Sequence, residues 1–364
     1  MPSIHDLPAI DRLFKRERLT PHQLRLVRNT FYKQRRPADV ALERLPADPR
    51  RRLNDEIRFH TLDLHLRHDS QVDGASKLIF RTAQGFLIES VILRIASGRT
   101  ALCVSSQVGC AANCSFCATG KMGLAHDLSA SEILDQLAQA NLSLAEEGRR
   151  VRNVVFMGMG EPFHNETNLC DALEVLQSSR CFDLSPRQIV VSTVGIPDAM
   201  ERFARRFPQT RLALSLHCVR PEVRESIVPL ARKHDLAELR EALHQVARIQ
   251  QQTVMIEYLL LEGLTDTAED FEALGRFLDG IPVHVNLIPY NPIDGAPALR
   301  GTSRARREEF GAALRNAGFK VTLRYSLGAD IAAACGQLVQ RENRQIARAS
   351  VTPLTAARRR RGGA

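Results

Sequence analysis

The sequence predicts an α/β protein: an open or partial (βα)6 barrel with a small N-terminal helical domain and a β-hairpin extension. Three observations predict it. From residue 100 onward, short apolar runs alternate with helical stretches at intervals of roughly 25 to 35 residues, the pattern of right-handed βαβ units. Most of those runs are continuous rather than alternating, as parallel strands covered on both faces require. The first 70 or so residues show neither property and read as Arg-rich helix.

Taken in order, "DLPAIDRLFKRERL" and "TPHQLRLVRNTFYKQ" are candidate helices, and in the second Thr20 can cap while Pro21 suits the first turn. "KLIFRT" and "GFLIESVILRI" are β-type runs joined by a Gly-containing turn, hence a hairpin. The strands that follow are "TALCVSS", "NVVFM", "QIVVST", "RLALSLH", "TVMIEYLLL", "VHVNLIP" and "KVTLRY". Between the first two lies "SASEILDQLAQANLSLAEEG", which opens with Ser129 and Glu132 at capping-box spacing and closes on Gly148. The expected division is a helical, basic accessory domain over 1–72, a core over 73–340 that begins with the hairpin, and a basic tail over 341–364.

The 364 residues, 44% hydrophobic and 25% charged, have the composition of a soluble globular protein. No apolar run approaches the roughly 20 residues of a membrane-spanning helix. The start, MPSIHDLPAIDRLFKRER, lacks the apolar core of a secretory signal. A cytoplasmic monomer with no membrane partner is expected, in a compartment where thiols stay reduced. Its eight cysteines then read as metal ligands, catalytic groups or buried residues rather than a disulfide frame. The net charge of +9 is uneven: residues 1–72 carry +5, residues 341–364 carry +6, and the stretch between carries −2. Basic flanks on a near-neutral core suggest a polyanionic partner, RNA or DNA. For the terminal RRRRGGA, a solvated surface is the alternative.

Chemistry concentrates in "CVSSQVGCAANCSFCATG", from Cys103 to Gly120. Cys110, Cys114 and Cys117 form a C-x3-C-x2-C run. Structural zinc wants four protein ligands, and no further Cys or His pair completes such a site; His126 is isolated in a polar stretch. A three-thiolate cradle fits a 4Fe–4S cluster with one iron left open. The spacing, with Phe116 before the last cysteine, is the radical SAM signature. Zinc or chance spacing is the alternative.

"CVSSQVGCAANCSFCATG", "GMGEP", "SLH", "NLIPYNP" and "AACGQL", in this order over residues 75–345, resemble the RlmN/Cfr family of RNA methyltransferases. The resemblance implies a radical SAM partial barrel that methylates an adenine ring carbon in 23S ribosomal RNA, with transfer RNA a second candidate. It also implies one 4Fe–4S cluster, two S-adenosylmethionine (SAM) molecules per turnover and an electron donor such as a flavodoxin or ferredoxin system. Amidine carbons of adenine are electrophilic and cannot attack SAM directly, so the chemistry belongs to the cofactor while the protein positions and protects it. Ring position 2 is the expectation and position 8 the alternative.

By the same resemblance Gly160, Glu161, Ser192, Ser215, Leu216, His217 and Asn291 contact SAM. Gly160 would let backbone approach the ligand, Glu161 would accept from the SAM amino group, and Leu216 would act only through its backbone. Alone, each is weak: a Gly-rich strand end is more often a tight turn, and a lone histidine a structural one. All lie at C-terminal ends of successive strands, the face where barrel-type enzymes assemble sites.

Cys335, in "GADIAAACGQL", reads alone as a small buried hydrophobe in a helical, Ala-rich stretch. The resemblance makes it the carrier of the transferred methyl. Cys103 does not fit the cluster spacing and matches the family cysteine that attacks the Cys335 sulfur, forming a transient disulfide. Glu89 aligns with the family's base, although one extra residue separates it from Cys103; an exposed strand carboxylate is the alternative. Cys170, Cys181 and Cys218 match no functional position and read as packing. Two other functions stay open: a metal-stabilised RNA-binding protein without catalysis, and a radical SAM enzyme with a different RNA substrate. Binding alone needs neither Cys103 nor Cys335.

Overall fold

Seven of the apolar runs after residue 100 lie side by side as parallel strands. The computed structural model describes residues 1–338 and Asn343. In chain order, helices α1 (Leu7–Arg16), α2 (Pro21–Arg28), α3 (Ala38–Leu42) and α4 (Ala47–Glu56) precede strands β1 (Asp63–Asp69), β2 (Ala75–Arg81), β3 (Leu87–Arg94) and β4 (Thr100–Cys103). A small pair, β5 (Gln107–Gly109) and β6 (Leu124–Asp127), flanks the cysteine loop. Then follow α5 (Ala130–Ala145), β7 (Asn153–Phe156), α6 (Glu166–Gln177), β8 (Ile189–Thr193), α7 (Pro197–Arg206) and β9 (Arg211–Ser215). The chain continues through α8 (Pro221–Ile227), α9 (Leu236–Gln250), β10 (Val254–Leu260), α10 (Ala268–Leu278), β11 (Val283–Pro289), α11 (Arg304–Asn316) and β12 (Lys320–Leu323).

Ten strands form one sheet in the order β1-β2-β3-β4-β7-β8-β9-β10-β11-β12. Every neighbouring pair from β4 to β12 is parallel and joined by a helical crossover, so the six predicted units are present. β1 to β4 pair antiparallel. The predicted hairpin is β2–β3, and β1 widens it to three strands. β1 lies inside the stretch expected to be helical; the helices of that region end at Glu56. All seven of its residues are exposed, which explains why DLHLRHD carried no hydrophobic signal.

Local signals account for the helix starts. Thr20 and Gln23 form a reciprocal capping box with Pro21 first in the helix, and Ser129 and Glu132 do the same for α5. The N-terminal helices bury Ile10, Phe14, Val27, Phe31, Leu42 and Leu53 in their own core, which also takes in Ala138 of α5 and Cys181. Asp135 of α5, fully buried, fastens this region to the barrel. Its carboxylate accepts from the His60 ring at 2.8 Å, from the amides of Thr61 and Leu62 at 2.7 and 2.9 Å, and from Gln139 at 3.0 Å.

The stretch around Cys335 is not the helix its alanines suggested. A single 3-10 turn, Ala329–Ile331, is followed by a loop with Gly328, Ala332 and Gly336 at positive φ. Long-range contacts override propensity there: Asp73 accepts from the Gly328 amide at 2.7 Å, and Asp330 accepts from the Ser70 hydroxyl at 2.8 Å. The basic tail over 341–364 lies outside the described residues except for Asn343. That side chain pairs with both backbone groups of Leu87, at 2.7 and 2.6 Å.

Candidate active site

The C-terminal strand ends and the cysteine loop enclose one cavity. Cys110, Cys114 and Cys117 line it together with Gly160, Glu161, Ser192, Ser215, His217, Glu257, Asn291 and Cys335. The loop is folded by its own backbone and by distant partners. Cys117 N–H donates to the Cys114 carbonyl, Ser115 N–H to Ile227, and Ala118 N–H to Gly336 at 2.7 Å. Thr119 donates its hydroxyl to the Leu338 carbonyl at 2.6 Å. The last two bonds bring Cys335 to the three cysteines across more than 200 residues of sequence.

Burial pushes the Cys110 thiol up to about 12 and raises that of Cys114 as well, and the neighbouring cysteines and Glu161 add to both shifts. Thiolates here require a compensating cation, since metal binding supplies the charge that releases the proton. Among the described residues no three Cys, His, Asp or Glu side chains stand close enough to hold a single ion. The three cysteines all line the one cavity. A cluster takes each thiolate on a different iron and so needs its sulfurs further apart than one ion does. The donor set fits a cluster with three protein ligands.

Glu161 is buried, its carboxylate accepting the amides of Phe163 at 3.1 Å and Val194 at 2.9 Å. Burial raises its pKa to about 7 despite those two bonds. Gly160, at φ 101°, lines the cavity and packs closely on Gln107: a Cβ there would stand 2.6 Å from the Gln107 Cβ. Gln107 in turn accepts the Glu161 amide at 2.8 Å. Ser192 and Ser215 share a hydrogen bond of 3.0 Å between adjacent strand ends. Leu216 does not line the cavity; its N–H donates to the Glu257 carbonyl and its own carbonyl accepts from Arg224.

His217 is buried at φ 60° with its ring edge-on to Phe116. Its Nδ1 accepts the Leu259 amide at 3.2 Å, which leaves the proton on Nε2. Burial, with Arg224 nearby, drives its pKa to about 3, so it is a neutral donor. Asn291 donates from Nδ2 to the Cys335 carbonyl at 3.0 Å and accepts from Ser326 at 2.6 Å. Both ends of its amide are thus engaged in holding the Cys335 loop.

Cys335 is the exposed one of the eight free cysteines, facing the cavity it lines. Surrounding atoms and the Glu257 carboxylate raise its pKa. Cys103, at the end of β4, is buried; burial raises its pKa and the Cys335 sulfur contributes to the same shift, so the two thiols are electrostatic neighbours. Glu89 is not an exposed strand carboxylate: it is 1% exposed, with Lys77 Nζ 3.6 Å from Oε1. The ladder pairs Lys77 with Val91 and Val91 with Cys103. Glu89, two residues from Val91, therefore shares a sheet face with Cys103. Cys170, Cys181 and Cys218 are buried, as their packing role predicts.

The radical SAM superfamily model matches residues 104–278, from the cysteine loop through α10. A probable RNA methyltransferase of Rhodopirellula baltica is 50% identical over 343 residues, 94% of this chain and 88% of that protein. A probable dual-specificity RNA methyltransferase RlmN of Thermus thermophilus is 39% identical over 310 residues, 85% of this chain and 86% of that protein. The chain belongs to the RlmN/Cfr family of radical SAM RNA methyltransferases. A crystal structure of a radical SAM methyltransferase from Sphaerobacter thermophilus, 36% identical, superposes with a TM-score of 0.88 over 93% of this chain and 99% of that one. The predicted radical SAM barrel is the fold observed, and the superfamily brings with it a 4Fe–4S cluster and SAM. No helix among the described residues is long and apolar enough to cross a membrane.

Sequence reasoning missed four polar residues of this RlmN/Cfr site: Arg224, Glu257 with its partner Asn286, and Lys77. Arg224, 2% exposed, donates to the carbonyls of Val194 at 2.7 Å and Leu216 at 3.2 Å, tying two strand ends together, and burial lowers its pKa to about 10. Glu257, also buried, accepts from Asn286 at 2.8 Å, and burial raises its pKa. Lys77 is the fourth. A lone polar residue in an apolar run gives no local signal; only the topology reveals its neighbours.

Proposed function

We propose that this enzyme methylates position 2 of an adenine in 23S ribosomal RNA, and an adenine in transfer RNA, through an S-methylcysteine on Cys335. The observation that carries the reading is the hydrogen-bonded union of the cysteine loop with the Cys335 loop, which puts a thiol on the wall of the cluster cavity. When bound, the cluster and SAM supply a deoxyadenosyl radical able to remove hydrogen from an S-methyl group. Cys110, Cys114 and Cys117 would hold the cluster. Glu161 would accept from the SAM amino group, the Ser192–Ser215 pair and His217 Nε2 would meet its remaining polar groups, and Leu216 has only the second lone pair of its carbonyl to offer.

Cys335 takes the methyl of a first SAM and presents it to adenine. Cys103, as the thiolate, then attacks the Cys335 sulfur: an S–S bond forms as the S–C bond to the product breaks, the electron pair of that bond stays with the methylene carbon, and this carbon takes up a proton from solvent to become the methyl group. Glu89 accepts the proton lost from the adenine carbon. Relatives described as dual-specificity RNA methyltransferases RlmN support a reading with more than one RNA. The basic N-terminal region and tail supply the polyanion contact, and a small reductase protein of the flavodoxin or ferredoxin kind supplies the electron, with the enzyme acting as a cytoplasmic monomer.

Two single variants test the mechanism. Cys335→Ala should yield neither S-methylcysteine nor product. Cys103→Ala should still be methylated at Cys335 and should accumulate protein joined covalently to RNA, seen as a nuclease-sensitive, slow-migrating band on a denaturing gel. Normal turnover by Cys103→Ala, or a crosslink in Cys335→Ala, would reverse the assignment.

A further inference from the structure

Lys77 is an unusual residue for the middle of a buried strand, since an isolated ammonium costs several kcal/mol to bury. Residues Ala75 to Phe80 of β2 are buried throughout, and Lys77 itself is 8% exposed. Its ammonium has two acidic or polar partners on different segments. One is Glu89 Oε1 at 3.6 Å across the β2–β3 ladder. The other is the carbonyl of Ala332 at 3.4 Å, three residues before Cys335. The register puts Lys77, Glu89 and Cys103 on one face of the sheet, because Lys77 opposes Val91 and Val91 opposes Cys103.

We infer that Lys77 is the positioning residue of the release step, a single cation that orients the Glu89 carboxylate and the Cys335 loop toward each other. The inference rests on the reading of Glu89 as the base and Cys335 as the carrier. During release the C–H bond of the methylated adenine carbon breaks, the proton goes to Glu89, and the electron pair stays in the ring. Lys77 keeps its own proton and is neither consumed nor oxidised. Its charge favours the ionised, proton-accepting form of Glu89, and its hydrogen bond to Ala332 fixes how far the carrier loop stands from that base. Among the described residues, the charged or titratable groups on the shared face are Lys77 and Arg81 from β2, Asp63 and His68 from β1 and Cys103 from β4, with the Arg81 guanidinium turned to the His65 ring.

The test uses the full chain with its cluster and SAM, comparing wild type with Lys77→Met, Lys77→Arg and the double variant Lys77→Met/Glu89→Gln. Iron content does not involve Glu89, and methylation of Cys335 loses the thiol proton rather than the adenine proton that Glu89 accepts, so both should stay within about twofold of wild type in all of them. Lys77→Met should release product at least tenfold more slowly and accumulate the covalent protein–RNA adduct. The acid limb of its pH–rate profile should move to higher pH, because a carboxylate without its cation holds its proton more tightly. Lys77→Arg keeps the charge and should recover part of the rate. The double variant replaces both charges, so a buried carboxylate is not stranded and folding is protected; it should release no more slowly than Glu89→Gln alone. An unmoved acid limb with no adduct in Lys77→Met, a further slowing in the double variant, or a parallel loss of Cys335 methylation would overturn the assignment. Absence of Cys335 methylation in wild type would instead overturn the carrier reading on which it rests.

Discussion

Asp135 and Glu161 are both buried carboxylates, 0% and 3% exposed, and they behave in opposite ways. Burial pushes the Asp135 pKa up, but the His5 ring 4.0 Å away and the hydrogen bond from His60 outweigh it and leave the group below the ordinary carboxylate range. Two backbone amides and Gln139 complete its shell. Glu161 receives two backbone amides, which do not offset burial, and its pKa climbs to about 7. The first carboxylate is finished by the protein's own donors and serves as a pin between the helical region and the barrel. The second retains unspent acceptor capacity on a cavity wall, the condition for receiving a charged donor from outside.

The largest effect should come from the cysteines beside Glu161. Ala at Cys110, Cys114 or Cys117 should reduce iron to background and abolish SAM cleavage, because three thiolates are the minimum for the open-iron geometry. Full iron content and activity in any one variant would remove the cluster from this cavity. Asp135→Ala should come next, with a loss of about 3–5 kcal/mol in urea unfolding as its buried partners lose their acceptor. Its folded fraction should still bind SAM. A loss below about 1 kcal/mol would mean that Asp135 is not a pin.

Glu161→Gln should invert that pattern. Its SAM affinity, read by calorimetry, should fall by about 10- to 100-fold, the worth of a charge-assisted hydrogen bond, while unfolding stability at pH 4.5, where folded Glu161 keeps its proton, shifts by less than about 1 kcal/mol. Unchanged affinity would detach Glu161 from SAM. The smallest effect is a difference in pH dependence. Asp135, with a lowered pKa, contributes fully above the ordinary value of about 3.9 and loses its contribution as pH falls from there. Glu161, raised from 4.5 to about 7, holds its proton in the folded protein after the unfolded chain has lost it. SAM-free wild type should therefore lose stability relative to Glu161→Gln as pH rises from 4.5 to 7. Its gap to Asp135→Ala should stay flat across that window. Wild type that instead gained stability relative to Glu161→Gln as pH rose from 4.5 to 7 would give the shift the wrong sign.

The sequence made the parallel strands legible because burial on both faces leaves an uninterrupted apolar run, as in Ile189–Thr193, buried at every position. The capping boxes at Thr20 and Ser129 were legible because their chemistry is local. The cluster cysteines were legible because their spacing alone carries the geometry. β1 was not, since an exposed edge strand needs no apolar face. The Cys335 loop misled because alanine favours helix, whereas Asp73, Asp330, Ala118 and Asn291 fix that loop from far away in sequence. Glu89 looked exposed because a strand carboxylate usually is; the cation that lets it be buried stands on the neighbouring strand, and nothing local announces it.

The backbone on either side of the Cys335 side chain is clamped, by Gly328 at the Ala333 amide before it and by Asn291 at the Cys335 carbonyl and Ala118 at the Gly336 carbonyl after it. With its pivot fixed, the sulfur has one torsion left, and an sp³ torsion offers three staggered stops. If Cys335 carries the methyl as proposed, it is then an indexing arm rather than a swinging loop. Collecting a methyl, offering it to a base and meeting a second thiol become successive stops of one side chain, and the order of events is written in which stop is free.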